Sequence, residues 1–229
     1  MHLLPATPIE KLWWVALLLL LGGYLAGTWL NRKRSKALGF WLQSGLGVLG
    51  SKIQWKWIGT MSSGAQVTVR DARKPFRQLE ITYLLLTREL APLWGIELLR
   101  GKRDLLILRG DLRFKPAAEF EVVPAHGKLR DTLDAYAADQ PWQWAEMSDG
   151  LALATPASAT GAAETPARSE VTPRIEAFLQ RYGAYIRRLS LRERSPNLIL
   201  FARLTGMERS PAKEFLEAVA KVASADGNL

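Results

Sequence analysis

The chain has 229 residues, 48% of them hydrophobic and 23% charged, and its 31 Lys and Arg outnumber 22 Asp and Glu to give a formal net charge of +9. This length can bury one sizeable core, or one core with a small appendage, and the positive charge favours an anionic neighbour such as a phospholipid leaflet or RNA. Because the sequence has no cysteine, disulfide bonds and thiolate metal sites are excluded.

The first element is an uncharged run of nineteen residues at 12–30, with tryptophans near both ends. At about 1.5 Å per helical residue, the run is long enough to cross a hydrocarbon core of roughly 30 Å. A cleaved signal peptide carries its basic residues before the apolar run, and a buried helix of a soluble domain is usually shorter. We therefore predict one transmembrane helix, on which Gly23 and Gly27 form a G-x-x-x-G spacing that suits close packing of a neighbouring helix.

A basic cluster follows the apolar run at once and consists of Arg32, Lys33, Arg34 and Lys36. The other side carries only one glutamate, one lysine and the amino terminus. By the positive-inside rule, residues 1–11 then form a short external or lumenal terminus and residues 31–229 a cytoplasmic domain. The alternative role of the cluster is only to hold this topology and keep the domain soluble.

The pattern after the anchor predicts an α+β domain in which strands and helices are mixed. A glycine-weakened helix is expected over 35–49, strands over 66–70, 76–86, 104–108 and 119–123, a helix over 128–138, and short strands at 142–144 and 151–153. The segment 90–99 fits either a helix or a strand.

Composition changes sharply at 155–173, which is rich in Ala, Thr, Pro and Ser and therefore predicts a flexible loop. Beyond it we predict an amphipathic helix over 174–189, a buried strand over 197–204 and a terminal helix over 212–223, with Ser210 as its N-cap. A single late strand needs partners from the preceding part, so the loop is expected to lie within one cytoplasmic domain.

The sequence has no recognisable catalytic constellation. It contains two histidines, its glycine-rich stretch at 45–50 follows no strand, and Glu119 and Glu121 are interpreted as the solvated face of a strand. We predict no catalytic residue, no cofactor and no metal site, and hence no enzyme. A membrane-bound enzyme without a recognisable motif is kept as a third hypothesis.

Four arginines within eight residues form the densest basic patch away from the anchor: Arg187, Arg188, Arg192 and Arg194. Arginine pairs with planar phosphates in a bidentate manner, so this patch is a candidate contact for ribosomal RNA or anionic lipid headgroups. The alternative is a solvated helix end whose cations favour the negative end of the helix dipole.

Several short motifs occur in a characteristic order: the single anchor, the basic NRKRSKAL run, the GKRDLL segment at 101–106 with Lys115-Pro116 leading into EFEVV, and the C-terminal FLQRYGAYIRRL and LILFARL segments. In this order and spacing the chain resembles the calumin family, the coiled-coil-containing membrane proteins of the endoplasmic reticulum PAT complex. The resemblance spans residues 31–223, and KRDLL with its downstream proline and strand is its most specific part.

The resemblance implies an α+β cytosolic domain on a single anchor and the role of a translocon-associated adaptor or chaperone in multi-pass membrane protein biogenesis. The implied partners are a small membrane protein, the protein-conducting channel and the ribosome, and no DNA is expected. The family's acidic lumenal region and long basic coiled coil have no counterpart in this sequence, so calcium binding is not carried over, and a ribosome contact would need other basic residues such as the four-arginine patch. The alternative function is a structural accessory subunit of another membrane complex.

Overall fold

The computed structural model describes residues 8–116, 118–136, 142–147, 150–156 and 166–224. Five α-helices and nine β-strands are found among these residues. The helices are α1 (Pro8–Leu46), α2 (Ala91–Leu99), α3 (Lys128–Tyr136), α4 (Pro166–Tyr182) and α5 (Ala212–Ala223). The strands are β1 (Lys52–Trp57), β2 (Gly64–Arg70), β3 (Phe76–Leu84), β4 (Leu105–Leu112), β5 (Phe120–Pro124), β6 (Trp142–Glu146), β7 (Leu151–Pro156), β8 (Ile186–Leu191) and β9 (Leu198–Arg203).

All nine described strands form one sheet in the order β1-β2-β3-β4-β9-β8-β5-β7-β6, and every neighbouring pair is antiparallel. Strand alternation exposes one set of side chains and buries the other, as in β2, where Val67 and Val69 are fully buried between less buried neighbours. The prediction of an α+β fold is confirmed. The late strands β8 and β9 insert between β4 and β5, so they belong to the same sheet as the strands that precede them.

Three helices pack together against this sheet. Helix α5 contacts both α1 and α4, and the buried residues of the three helices share one apolar cluster with the strands. Phe215 of α5 lies at its aromatic centre, with ring centroids 5.2 Å from Tyr182, 6.3 Å from Phe178 and 6.4 Å from Trp41. The prediction of Ser210 as the N-cap of α5 is wrong: Pro211 holds that position, and no side chain caps the helix. The Ser210 carbonyl instead accepts a hydrogen bond from the Trp41 indole (2.8 Å).

The apolar run at 12–30 belongs to α1, the one helix in the described part of the chain that is long and apolar enough to cross a membrane. The separate short helix predicted over 35–49 is wrong, because α1 continues without a break to Leu46. Glycines at 39 and 45 lower helix propensity, yet tertiary packing overrides it. A Cβ on Gly45 would lie 2.7 Å from the backbone of α5, so the absence of a side chain there allows the two helices to approach.

Other predicted boundaries shift as well. The predicted helix over 174–189 is wrong beyond residue 182: α4 ends at Tyr182, and Ile186–Leu191 is strand β8. Segment 90–99, left open between helix and strand, contains helix α2. At the ends of the predicted loop 155–173, the first two residues complete β7 and residues 166–173 begin α4, whereas 157–165 lie outside the described residues.

Candidate functional site

The most elaborate polar arrangement in the described structure lies where α1 leaves its apolar segment and enters the domain. From here onward α1 buries one face, with Leu38, Leu42 and Leu46 each at most 2% exposed, whereas most side chains of the preceding apolar segment are exposed. The spacing of four residues keeps these leucines on one side of the helix. One end of α1 is therefore part of the domain core, and the other end is apolar and exposed.

Asp104 is the centre of the polar arrangement and is 1% exposed. Its carboxylate accepts two hydrogen bonds from Arg88 Nη2 (3.0 and 2.9 Å), one from Arg34 Nε, and one from the backbone N–H of Leu86 (2.9 Å). A buried carboxylate is stable only when its oxygens are paired in this way. The ion pairs connect α1 to the segment after β3 and to the residue just before β4.

Asn31 and Glu208 extend this network in opposite directions. The Asn31 side chain is 1% exposed, donates to the Leu86 carbonyl (2.9 Å) and accepts from Arg88 Nη1. Arg34, which lies one helical turn after Asn31, also donates to Glu208 Oε1 (3.2 Å). We name the five residues Asn31, Arg34, Arg88, Asp104 and Glu208 the junction network.

A second polar contact lies on the same side of α1. The Ser35 hydroxyl is 3.0 Å from the Tyr83 hydroxyl of β3, and both residues are buried. Burial raises the pKa of the Tyr83 phenol, and the hydrogen bond to Ser35 opposes this shift only in part. The phenol therefore stays neutral and joins α1 to the sheet as a hydrogen-bonding group.

A cavity of about 600 Å³ borders the junction network, and it is lined by Leu30, Lys33, Arg34, Ala37, Leu38, Trp41, Arg88, Trp94 and Glu208. Two of its cations lie over aromatic rings: Lys33 Nζ is 5.3 Å from the Trp29 ring centroid, and the Arg88 guanidinium is 5.9 Å from that of Trp94. Basic and aromatic side chains at the end of an apolar helix are typical of a membrane–water boundary. Of the predicted membrane-proximal cations, Arg32, Lys33 and Lys36 are exposed, while Arg34 is used in the network.

The two glycines predicted to receive a neighbouring helix contact this chain itself. A Cβ on Gly27 would lie 2.8 Å from the Glu89 nitrogen and still closer to the Arg88 carbonyl, and one on Gly23 would lie 4.0 Å from the Ala91 Cβ. At Gly27, this face is therefore occupied by the residues that precede α2.

Substitution of Gly27 by Ala should destabilise this contact, because the added methyl group overlaps backbone rather than a movable side chain. Overpacking of this kind typically costs about 1–3 kcal/mol. Gly22→Ala is the matched control, since nothing lies within 4 Å of its added Cβ. Thermal unfolding of the two variants in detergent micelles, followed by near-UV circular dichroism, should show a lower Tm only for Gly27→Ala. Equal Tm values would contradict the close contact.

The four-arginine patch is split by the structure. Arg188 and Arg192 both pair with Glu121, which is 1% exposed; the two Arg188 contacts measure 3.1 Å, and the Ser190 hydroxyl also donates to it (2.7 Å). Arg187 and Arg194 are exposed. The interpretation of Glu121 as part of a solvated strand face is wrong, because its side chain is buried and paired with arginines of β8 and of the turn that follows it. Two of the four arginines thus neutralise a buried carboxylate.

The junction network is not predicted from the sequence, although part of it follows a recognisable pattern. Asn31, Ser35, Leu38 and Leu42 repeat at intervals of three and four, so the apolar stripe could have been extended back to Asn31. Asp104 stood within the most specific motif, but its partner Arg88 lies sixteen residues away with a helix between them. Within the described residues, no group of three or more His, Asp or Glu is placed to hold a metal ion.

No protein-family model matches the sequence, and the search of curated proteins finds no significant similarity.

Proposed function

We propose that this chain is a non-enzymatic, single-pass membrane adaptor that holds its sheet domain in a constant position at the membrane surface. The observation that carries the proposal is the continuity of α1, a 39-residue helix whose first part is exposed and apolar and whose last part is core. The junction network lies between the two parts and blocks rotation there, because its buried charges cannot separate without large desolvation penalties.

In this proposal the N-terminus faces outward or into a lumen and the domain faces the cytoplasm. Support comes from the exposed Arg32, Lys33 and Lys36 directly after the apolar segment. The membrane–water boundary then lies near the cavity beside Trp41 and Trp94, which places basic and aromatic side chains within reach of both headgroups and membrane proteins.

The specific role that we propose is multi-pass membrane protein biogenesis beside the translocon, as the similarity to the calumin family implies. The support is the position of the KRDLL motif: it supplies Asp104, the centre of the junction network. The alternative is an accessory subunit of another membrane complex, which the same rigid anchor would serve equally well.

The test is purification of the tagged full-length chain from its native membrane in mild detergent, with a photo-crosslinking amino acid at position 33 beside the cavity. The matched control carries the crosslinker in place of Lys52, which is 70% exposed and starts β1 at the end of the sheet away from the anchor. We expect insertase or channel subunits, with ribosomal proteins, crosslinked from position 33. One stoichiometric bioenergetic or transport complex would support the alternative. The absence of any partner specific to position 33 would overturn the adaptor proposal.

A further inference from the structure

Helix α2 is apolar but has no buried residue. Seven of its nine residues, APLWGIELL, are Ala, Leu, Ile, Trp or Pro, and none of the nine is buried in the domain. Leu93, Ile96 and Leu99 are 55%, 44% and 90% exposed. A contiguous apolar surface of this kind on a folded domain marks a contact that the isolated chain leaves uncovered.

The position of α2 indicates what covers it. Its first residue, Ala91, lies opposite Gly23 of α1, where an added Cβ would be 4.0 Å from the Ala91 Cβ. Gly23 lies seven residues, or about 10 Å of helix, inside the apolar segment that ends at residue 30. Interfacial helices bury their apolar face about 5–10 Å into the boundary between headgroups and acyl chains. The start of α2 is therefore at the depth of the leaflet if α1 spans the bilayer.

A second apolar element lies at the same end of the sheet. The turn between β1 and β2 exposes Met61 (41%), and Trp57 at the end of β1 is 43% exposed. The turn is joined to the segment before α2, because the Ser62 hydroxyl donates to Oε1 of Glu89, two residues before the helix begins (2.9 Å). This end of the sheet therefore presents apolar side chains from two separate segments.

Three arginines lie at one edge of the sheet, at the ends of the neighbouring strands β4, β9 and β8, and one of them contacts the far end of α2. Arg103 precedes β4 and donates to the Leu98 carbonyl of α2 (3.1 Å), Arg203 ends β9 opposite Leu105, and Arg187 lies at the start of β8. No carboxylate in the described part of the chain lies within 4.0 Å of these guanidinium groups. Burial, and then the charges of Arg203 and Arg103, lower the pKa of Arg187. Uncompensated cations gathered in this way favour an anionic ligand.

We propose that α2 lies in the leaflet on the domain side of the membrane, with Leu93, Ile96 and Leu99 among acyl chains and Arg103, Arg187 and Arg203 on anionic phospholipid headgroups. The inference rests on the proposed anchoring by α1. The chain then contacts the membrane through two helices, the spanning helix α1 and the interfacial helix α2, and together they limit tilting of the domain.

The cysteine-free sequence allows a direct test. Single cysteines replace Leu93, Ile96 or Leu99 in the full-length chain, carry a nitroxide label, and are reconstituted in vesicles of phosphatidylcholine and phosphatidylglycerol. Collision with oxygen, which concentrates in lipid, is compared with collision with a water-soluble nickel chelate. We expect the three positions to be accessible to oxygen and protected from nickel.

Two control positions make the outcomes separable. Leu19→Cys reports on the spanning segment, where the side chain is 72% exposed, and Phe114→Cys reports on a 63% exposed apolar residue beyond the far end of β4. If positions 93, 96 and 99 behave like 114 while 19 is lipid-like, the inference is wrong and the anchor stands. If position 19 is also accessible to the nickel chelate, both the placement of α2 in the leaflet and the spanning of the membrane by α1 are wrong. Because only this protein and lipid are present, a surface reserved for a partner protein would give the first of these results.

The proposed binding of headgroups by the three arginines is tested separately. Replacing Arg103, Arg187 and Arg203 together by Gln should remove the difference in nickel protection at position 96 between vesicles with and without phosphatidylglycerol. The matched control is Arg194→Gln, since Arg194 is exposed at the turn after β8. An unchanged difference in the triple variant would exclude these arginines as the headgroup site.

Discussion

Replacement of Asp104 by Ala is expected to lower the free energy of unfolding by about 3–5 kcal/mol, the range typical of removing one partner from a buried ion pair. The reason is that Arg34 and Arg88, whose side chains are 27% and 14% exposed, lose the carboxylate that both of them contact. Urea unfolding in detergent micelles, followed by near-UV circular dichroism, measures the change. Asp104→Asn should have a smaller effect because one carbonyl oxygen still accepts.

The control for this variant is Asp71→Ala. Asp71 is also paired, with Lys52 at 2.6 Å, and this hydrogen bond lowers the pKa of Asp71, but both side chains are 70% exposed. Water replaces the lost partner there, so little change is expected. Equal losses in Asp71→Ala and Asp104→Ala would show that the junction network does not carry the connection between anchor and domain.

Glu121→Ala is expected to be the second strongly destabilising substitution, again by about 3–5 kcal/mol. It removes the carboxylate shared by Arg188 and Arg192 and leaves the buried Ser190 hydroxyl without its acceptor. The same unfolding measurement applies. Glu193→Ala is the control, because Glu193 is 49% exposed and, among the described residues, forms an ion pair only with the exposed Lys115; such surface pairs are worth about 0–1 kcal/mol.

The Glu121 site also changes what can be expected of the arginine patch. If all four arginines were free, replacing them by Gln would leave the fold intact. In the structure, Arg188 and Arg192 pair with Glu121, and their replacement would leave Glu121 as an unpaired buried charge. Arg187 and Arg194 are exposed. Only the latter two can be replaced when binding to anionic surfaces is measured without loss of stability.

Local pattern was sufficient for several features of the chain. Hydrophobic length alone identified the apolar segment within α1, and β-branched alternation placed β2 and most of β3. Helix α5 was predicted with its observed bounds, because its apolar residues repeat with helical period and a proline precedes it. These features depend on residues within a few positions of each other, where a single sequence carries the signal.

Other features depend on contacts between distant residues. The local pattern predicts a helix where β8 lies, because the apolar residues that follow α4 have a spacing compatible with both a helix and a strand. Pairing with β5 and β9 selects the strand. In the same way, Glu121 and Arg188 are separated by 67 residues and Asn31 and Arg88 by 57, so no local pattern predicts these contacts.

Local sequence patterns are thus enough to predict an apolar helix followed by an α+β domain, with basic residues between the two. Three features depend on tertiary contacts: α1 continues into the core, the backbone before α2 packs against Gly27, and α2 remains uncovered. Helix propensity and hydrophobicity act locally, whereas the burial of a charge or of an apolar face depends on contact with a segment that is distant in the sequence.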